Sequence, residues 1–209
     1  MSRPIAGRGR RRARGERGAV LVEAALVIPV LLFLAFGVVE YGAAFGDRNL
    51  VDTAGRAGGR AVANMSNDKF ADYWALDAVV SAINDLGLTN VTRVVIFKAT
   101  TNPVISAGCA AGTPSSSAQA CNVYSNSVIT NLYTTNYKTN NFGCGVGKLD
   151  NYWCPAPLGS PPVGGRNITG TTADYVGIYI EAKHAKLTYV LPGDLTIKDT
   201  FITRLEPSP

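Results

Sequence analysis

His184 is the only histidine in the chain, so any Ser/His/Asp or Cys/His scheme would have to pass through it. It extends the inward row of a strand-like run, which suits a packed or edge histidine better than a catalytic base. The chain has no G-x-S-x-G elbow, no phosphate-cradling glycine loop and no H-E-x-x-H helix. Its carboxylates are scattered, with no adjacent pair that spacing would nominate for acid–base work. Four cysteines remain, Cys109, Cys121, Cys144 and Cys154. None forms the C-x2–4-C pair that zinc favours, so no metal and no cofactor is expected. An even number of cysteines outside the cytoplasm suggests two disulfides. Of the three pairings, Cys109–Cys121 and Cys144–Cys154 close the shortest loops. The expectation is a non-enzymatic protein with no small-molecule substrate.

The one chemically conspicuous carboxylate is Glu23, the single charge within Gly18–Val39, GAVLVEAALVIPVLLFLAFGVV. As a helix, those residues would reach roughly 33 Å, about the thickness of a bilayer's hydrocarbon core. A carboxylate at the centre of that layer costs about 2.5 kcal/mol or more, and less near its edge. The residue needs a reason to be there.

The charge distribution explains how such a span would be oriented. Residues 1–17 hold seven arginines and one glutamate; the rest of the chain holds thirteen basic and fourteen acidic side chains. The net charge of +5 therefore sits entirely at one end. An arginine arm can bind nucleic acid, but beside an apolar span it fixes orientation, because positive flanks stay in the cytoplasm. Contact with anionic lipid follows from the same charge. No nucleic-acid partner is expected. The expected organisation is a basic cytoplasmic leader at 1–17, a transmembrane helix at 18–39, a helix continuation at 40–64 and an extracytoplasmic domain at 65–209. A cleavable secretory signal over 1–45, with a small-x-small site near Gly42–Ala44, is the alternative. The apolar core is longer than the usual signal, and Glu40 and Tyr41 follow it without a clean break.

Glu23 is the fifth residue when Ala19 is counted as the first. Glycine, four apolar or small residues and then glutamate, behind a basic leader, is the prepilin-type processing pattern. Gly18-Ala19-Val20-Leu21-Val22-Glu23-Ala24-Ala25-Leu26-Val27-Ile28-Pro29 resembles the opening of TadE-like proteins, the minor pseudopilins of tight-adherence (Flp-type) pilus systems. Tyr41–Ala63, with Asp52-Thr53-Ala54-Gly55-Arg56-Ala57-Gly58-Gly59-Arg60, resembles their small-residue, Arg-bearing helix continuation. Thr203-Arg204-Leu205-Glu206-Pro207 resembles their usual ending. Ala24 departs from the aromatic that often follows the glutamate. The resemblance implies cleavage between Gly18 and Ala19 by a prepilin peptidase. It also implies partners among other pilin and pseudopilin subunits and an inner-membrane assembly platform. A new amine on Ala19 would then pair with Glu23 of a neighbouring subunit, offsetting the desolvation of both groups.

Beyond the span, Gly42/Gly46 and Gly55/Gly59 are each four apart, the spacing that lets another surface approach a helix closely. That surface is either this chain's own sheet or a partner subunit. Asp52, Arg56 and Arg60 share a stripe, and Pro29 would kink the span. Ser66 or Asn67 can cap a second helix, about Asp68–Leu86, with Phe70, Trp74 and Ala78 along one face. Val91–Lys98 reads as a strand. Thr100–Ala120 and Asn141–Thr172 read as loops, and Asn122–Tyr137 is ambiguous. Tyr175–Lys183 alternates with period two, placing Val176, Ile178, Ile180 and Ala182 on one face. Leu187, Tyr189 and Leu191 suggest a further strand ended by Pro192-Gly193-Asp194, and Leu195–Leu205 another. The expected fold is α+β: a long N-terminal helix, then a small antiparallel meander with Val91–Lys98 at one edge and helices on one face.

Overall fold

The computed structural model describes residues 16–65, 68–117, 119–155, 165–188 and 193–206. The basic leader, the caps at Ser66 and Asn67, most of the Pro/Gly stretch 155–165, and Tyr189, Leu191 and Pro192 lie wholly or largely outside them.

Helix α1 (Glu16–Asn64) runs unbroken for 49 residues and carries Pro29 in its interior. At 1.5 Å per residue it is about 74 Å long. Its two halves have opposite surroundings. From Val20 to Val39 the large apolar side chains are exposed. From Ala44 onward one face is covered, and Val51, Ala54, Val62 and Ala63 are buried. Among the described residues this is the one helix long and apolar enough to cross a membrane.

The covered half of α1 packs with α2 (Ala71–Ile83) over one face of a four-stranded antiparallel sheet. Helix α2 is shorter than its sequence pattern, ending in a 3-10 turn at Asn84–Leu86. Its buried stripe is Ala71, Ala75, Leu76, Val79, Val80 and Ile83. Phe70, Trp74 and Ala78 are only half-buried, so the expected face is offset: the small residues, not the aromatics, meet α1. Residue size decides this, because α1 approaches through glycines. A Cβ on Gly58 would lie 2.6 Å from Val79 Cγ2 and 3.2 Å from the Ala75 carbonyl oxygen.

The strands are β1 (Val91–Ala99), β2 (Cys121–Ser125), β3 (Tyr175–Lys183) and β4 (Thr196–Arg204), in the order β2-β1-β3-β4. Val95 lies opposite Val123 on one side and Tyr179 on the other, and Ile178 opposite Phe201. Alternation divides the side chains. Val94, Ile96, Val176, Ile178, Ile180 and Ala182 enter the main core under the helices. Val95, Phe97 and Tyr179 form a second cluster on the other face with Cys109 and Cys121.

Two expectations about the sheet need correction. Strand β1 is central, not at an edge. Its consecutive buried run Val94–Phe97 is what a strand covered on both faces requires. The partner it lacked in the sequence reading is β2, hidden in the ambiguous Asn122–Tyr137 stretch because it is followed at once by α4 (Asn126–Thr130). The strand expected around Leu187–Leu191 is not part of the sheet among the described residues; β3 pairs directly with β4.

The disulfides Cys109–Cys121 and Cys144–Cys154 are both formed. The first staples short helix α3 (Ala107–Ala111) to the start of β2. The second closes the loop after α5 (Tyr137–Asn141), where Asp150 accepts hydrogen bonds from the Gly143 and Cys144 amides.

The glycine contacts give a paired prediction. Gly58→Ala inserts a methyl where α2 leaves no space, while nothing lies within 4 Å of a Cβ on Gly42. Overpacking costs about 1–3 kcal/mol and better helix propensity returns up to about 1. Urea unfolding of the detergent-solubilised protein should therefore show Gly58→Ala destabilised and Gly42→Ala unchanged or slightly stabilised.

Candidate functional site

Two places on α1 carry groups whose chemistry demands a partner. The first is the exposed half. Gly18, Ala19 and Glu23 all lie on it, and all three are exposed among the described residues. Around Glu23 the surface consists of large apolar side chains, including Leu21 at 70% and Leu26 at 70% exposure. So much unbroken apolar surface marks a membrane or subunit contact. Gly42 and Gly46 continue this open side: among the described residues, a Cβ on either would meet nothing beyond its own helix within 4 Å. Gly55 and Gly59 differ. A Cβ on Gly59 would come within 2.4 Å of the Phe201 ring, and one on Gly55 would touch Phe201 Cβ at 3.4 Å. The four small residues thus divide, with the lower pair open and the upper pair against β4.

The second place is Glu40, the first residue after the apolar run, which is fully buried. The Thr188 amide and hydroxyl donate to its Oε2 at 2.7 Å each. The Leu187 amide donates at 3.1 Å, and His184 Nε2 lies 3.1 Å from Oε1. The other ring nitrogen of His184 meets Asp47 Oδ2 at 2.5 Å. Asp47 lies two turns beyond Glu40 on the same helix, so the imidazole bridges two carboxylates of α1. With both ring nitrogens engaged, the arrangement acts as a clamp. The His184 amide also donates to the Leu195 carbonyl, closing the base of the excursion between β3 and β4.

Thr188 holds the Glu40 carboxyl low, at about 2 against an ordinary 4.5. Its hydroxyl contributes most. Burial opposes the shift, and the Thr188 and Leu187 amides and His184 reinforce it.

A second buried polar cluster lies in the domain. Asp72 of α2 accepts from Arg166, from Asn122 at 2.8 Å and from the Tyr124 hydroxyl at 2.6 Å. The Arg166 guanidinium stacks over Trp153 at 4.4 Å. Trp153 is buried, whereas its neighbour Tyr152 is 40% exposed. This cluster ties the second disulfide loop to α2 and β2, and Asp72, Asn122, Tyr124, Trp153 and Arg166 are all buried. Burial, with Asp72 nearby, pushes Asp150 up to about 6.

Neither cluster was visible in sequence. Glu40 and His184 are 144 residues apart, and Asp72 and Arg166 are 94 apart. The one available signal was an acid placed directly after an apolar run, where a carboxylate must find donors or water.

Comparison with known proteins adds one match. The family model described as TadE-like protein matches residues 18–60, from the glycine before Ala19 into the packed half of α1. No curated protein and no solved structure matches the chain.

The Glu40 clamp has a defined pH window. Its folded value lies below its unfolded one, so its contribution is complete above about pH 4.5 and lost as pH falls toward 2. Asp150 works the other way. Its value is raised from 3.8 to about 6, so its ionisation opposes the fold as pH rises through that interval. Local hydrogen exchange therefore reads Glu40 better than global stability does. The Leu187 and Thr188 amides should lose protection between pH 4.5 and 2, and Glu40→Ala should expose them at every pH.

Proposed function

We propose that the chain is a TadE-like minor pseudopilin, a membrane-anchored structural component of a tight-adherence type pilus or related secretion filament. The observation that carries this reading is a coincidence of place. The TadE-like match at residues 18–60 begins at the glycine of the processing pattern and includes the apolar run that stays exposed among the described residues. In this reading residues 1–17 are a cytoplasmic leader, 18–39 the span, 40–64 its continuation and 65–209 an exported domain. The two disulfides favour an oxidising compartment for that domain.

The helix supplies assembly and the domain supplies identity. A prepilin peptidase cuts between Gly18 and Ala19. The new Ala19 amine pairs with Glu23 of a neighbouring pilin or pseudopilin subunit as the spans pack, which offsets the cost of a carboxylate in lipid. Gly42 and Gly46 let the neighbour approach where this subunit leaves its helix bare. The assembly platform in the inner membrane would receive subunits in this state. No catalytic step is assigned. A single-pass tethered domain with no filament role is the second reading, favoured by Ala24 standing where an aromatic often follows the glutamate.

Intact mass separates the two. Protein extracted from membranes should begin at Ala19, and an attached arginine leader would favour the plain tether. Glu23→Ala should be impaired in leader removal or in incorporation into filaments; unaltered behaviour in both would remove Glu23 from the mechanism. Alkylation without reduction should add no mass, and reduction first should add four alkyl groups.

A further inference from the structure

The clamp places a second apolar surface beside the span. Glu40 follows Val39 directly, and helical side chains tilt toward the N-terminus, so its carboxylate points back toward the apolar run. The backbone of Leu187 and Thr188 is bonded to that carboxylate. Leu187 is therefore held at the depth where the span ends, and its side chain is 61% exposed. Leu195, whose carbonyl closes the same excursion, is 44% exposed. Beside it lies a groove of about 420 Å3, lined by Tyr41, Phe45 and Arg48 of α1 and by Leu195 and Lys198 at the start of β4. Tyr41 and Phe45 are among the most exposed aromatics of the chain.

These residues fall in a narrow layer. Tyr41, Phe45 and Arg48 lie about 3, 9 and 14 Å beyond Val39 along the helix; helical side chains tilt back toward the N-terminus, which brings their ends toward a leaflet's polar layer about 5–8 Å thick. Aromatic rings at headgroup depth, with cations just outside them, suit the boundary between lipid and water. An exposed leucine held at that depth has hydrocarbon within reach.

We propose that Tyr41, Phe45, Arg48, Leu187, Leu195 and Lys198 form a lipid-binding foot on the exported leaflet. Leu187 and Leu195 enter the acyl boundary, and Arg48 and Lys198 meet phospholipid phosphates. The occupant is phospholipid of the bilayer that the span crosses, because the foot continues the span's own lipid-facing surface. The proposal rests on residues 18–39 being that span. It adds a second attachment, through which the bilayer sets the tilt of the domain.

The test uses the full chain in vesicles of phosphatidylethanolamine and phosphatidylglycerol whose acyl chains carry bromine. Tryptophan is added singly at Leu187, Phe33 or Val146. Trp74 and Trp153, present in every variant, supply a constant background. Leu187→Trp and Phe33→Trp should each lose most of the added emission, and Val146→Trp, 92% exposed at its position in the second disulfide loop, should keep it. Quenching at Phe33 with none at Leu187 would overturn the foot and leave the span standing. No quenching at Phe33 would reject the span and the foot together. Combining Arg48→Gln and Lys198→Gln with Leu187→Trp should weaken its quenching in these vesicles; unchanged quenching would overturn the phosphate contacts.

Discussion

A carboxylate removed from water must be met by donors, and Glu40 meets this demand where the apolar run of α1 ends. Two backbone amides, a hydroxyl and an imidazole converge on it. All come from the segment that leaves β3, so the far end of the sheet is tied to the middle of α1. Without that tie the long helix would hold the domain only through its C-terminal half. Asp47 extends the hold by two helical turns through the other side of His184. The lone histidine bridges two carboxylates of one helix, Glu40 and Asp47.

Above the clamp the helix is held by shape. Gly58 and Gly59 remove the side chains that would keep α1 away from Val79 and Phe201, and the β3 row of Val176, Ile178 and Ile180 fills the space beneath. Below it, among the described residues, nothing in the subunit covers the helix surface. One continuous element therefore serves two roles, a core helix at one end and an open contact surface at the other. The glycines mark the change: Gly42 and Gly46 are bare, and Gly55 and Gly59 are covered.

Local pattern carried much of this. The apolar run, the alternation of Val176–Ala182 and the shortest-loop cysteine pairing can each be read within about twenty residues, and the structure agrees with each. What failed depended on distant partners. Strand β1 looks like an edge strand because polar Asn122 and Ser125 disguise β2, yet Asn122 is buried and satisfied by Asp72 and Trp153. The buried face of α2 does not follow its aromatics, because glycines on α1 demand small residues opposite. Pairs such as Asp72 and Arg166 obey no spacing rule, since their meeting is set by topology.

The unbroken course of α1 through Pro29 and into the sheet has a mechanical corollary. The helix is continuous from the greasy stem into the packed half, so the packing of the upper half sets the direction in which the stem leaves the domain. The azimuth of the bare glycine face is then slaved to the domain's orientation. A neighbour that met the bare face would therefore meet the domain in a fixed relation to Gly42 and Gly46.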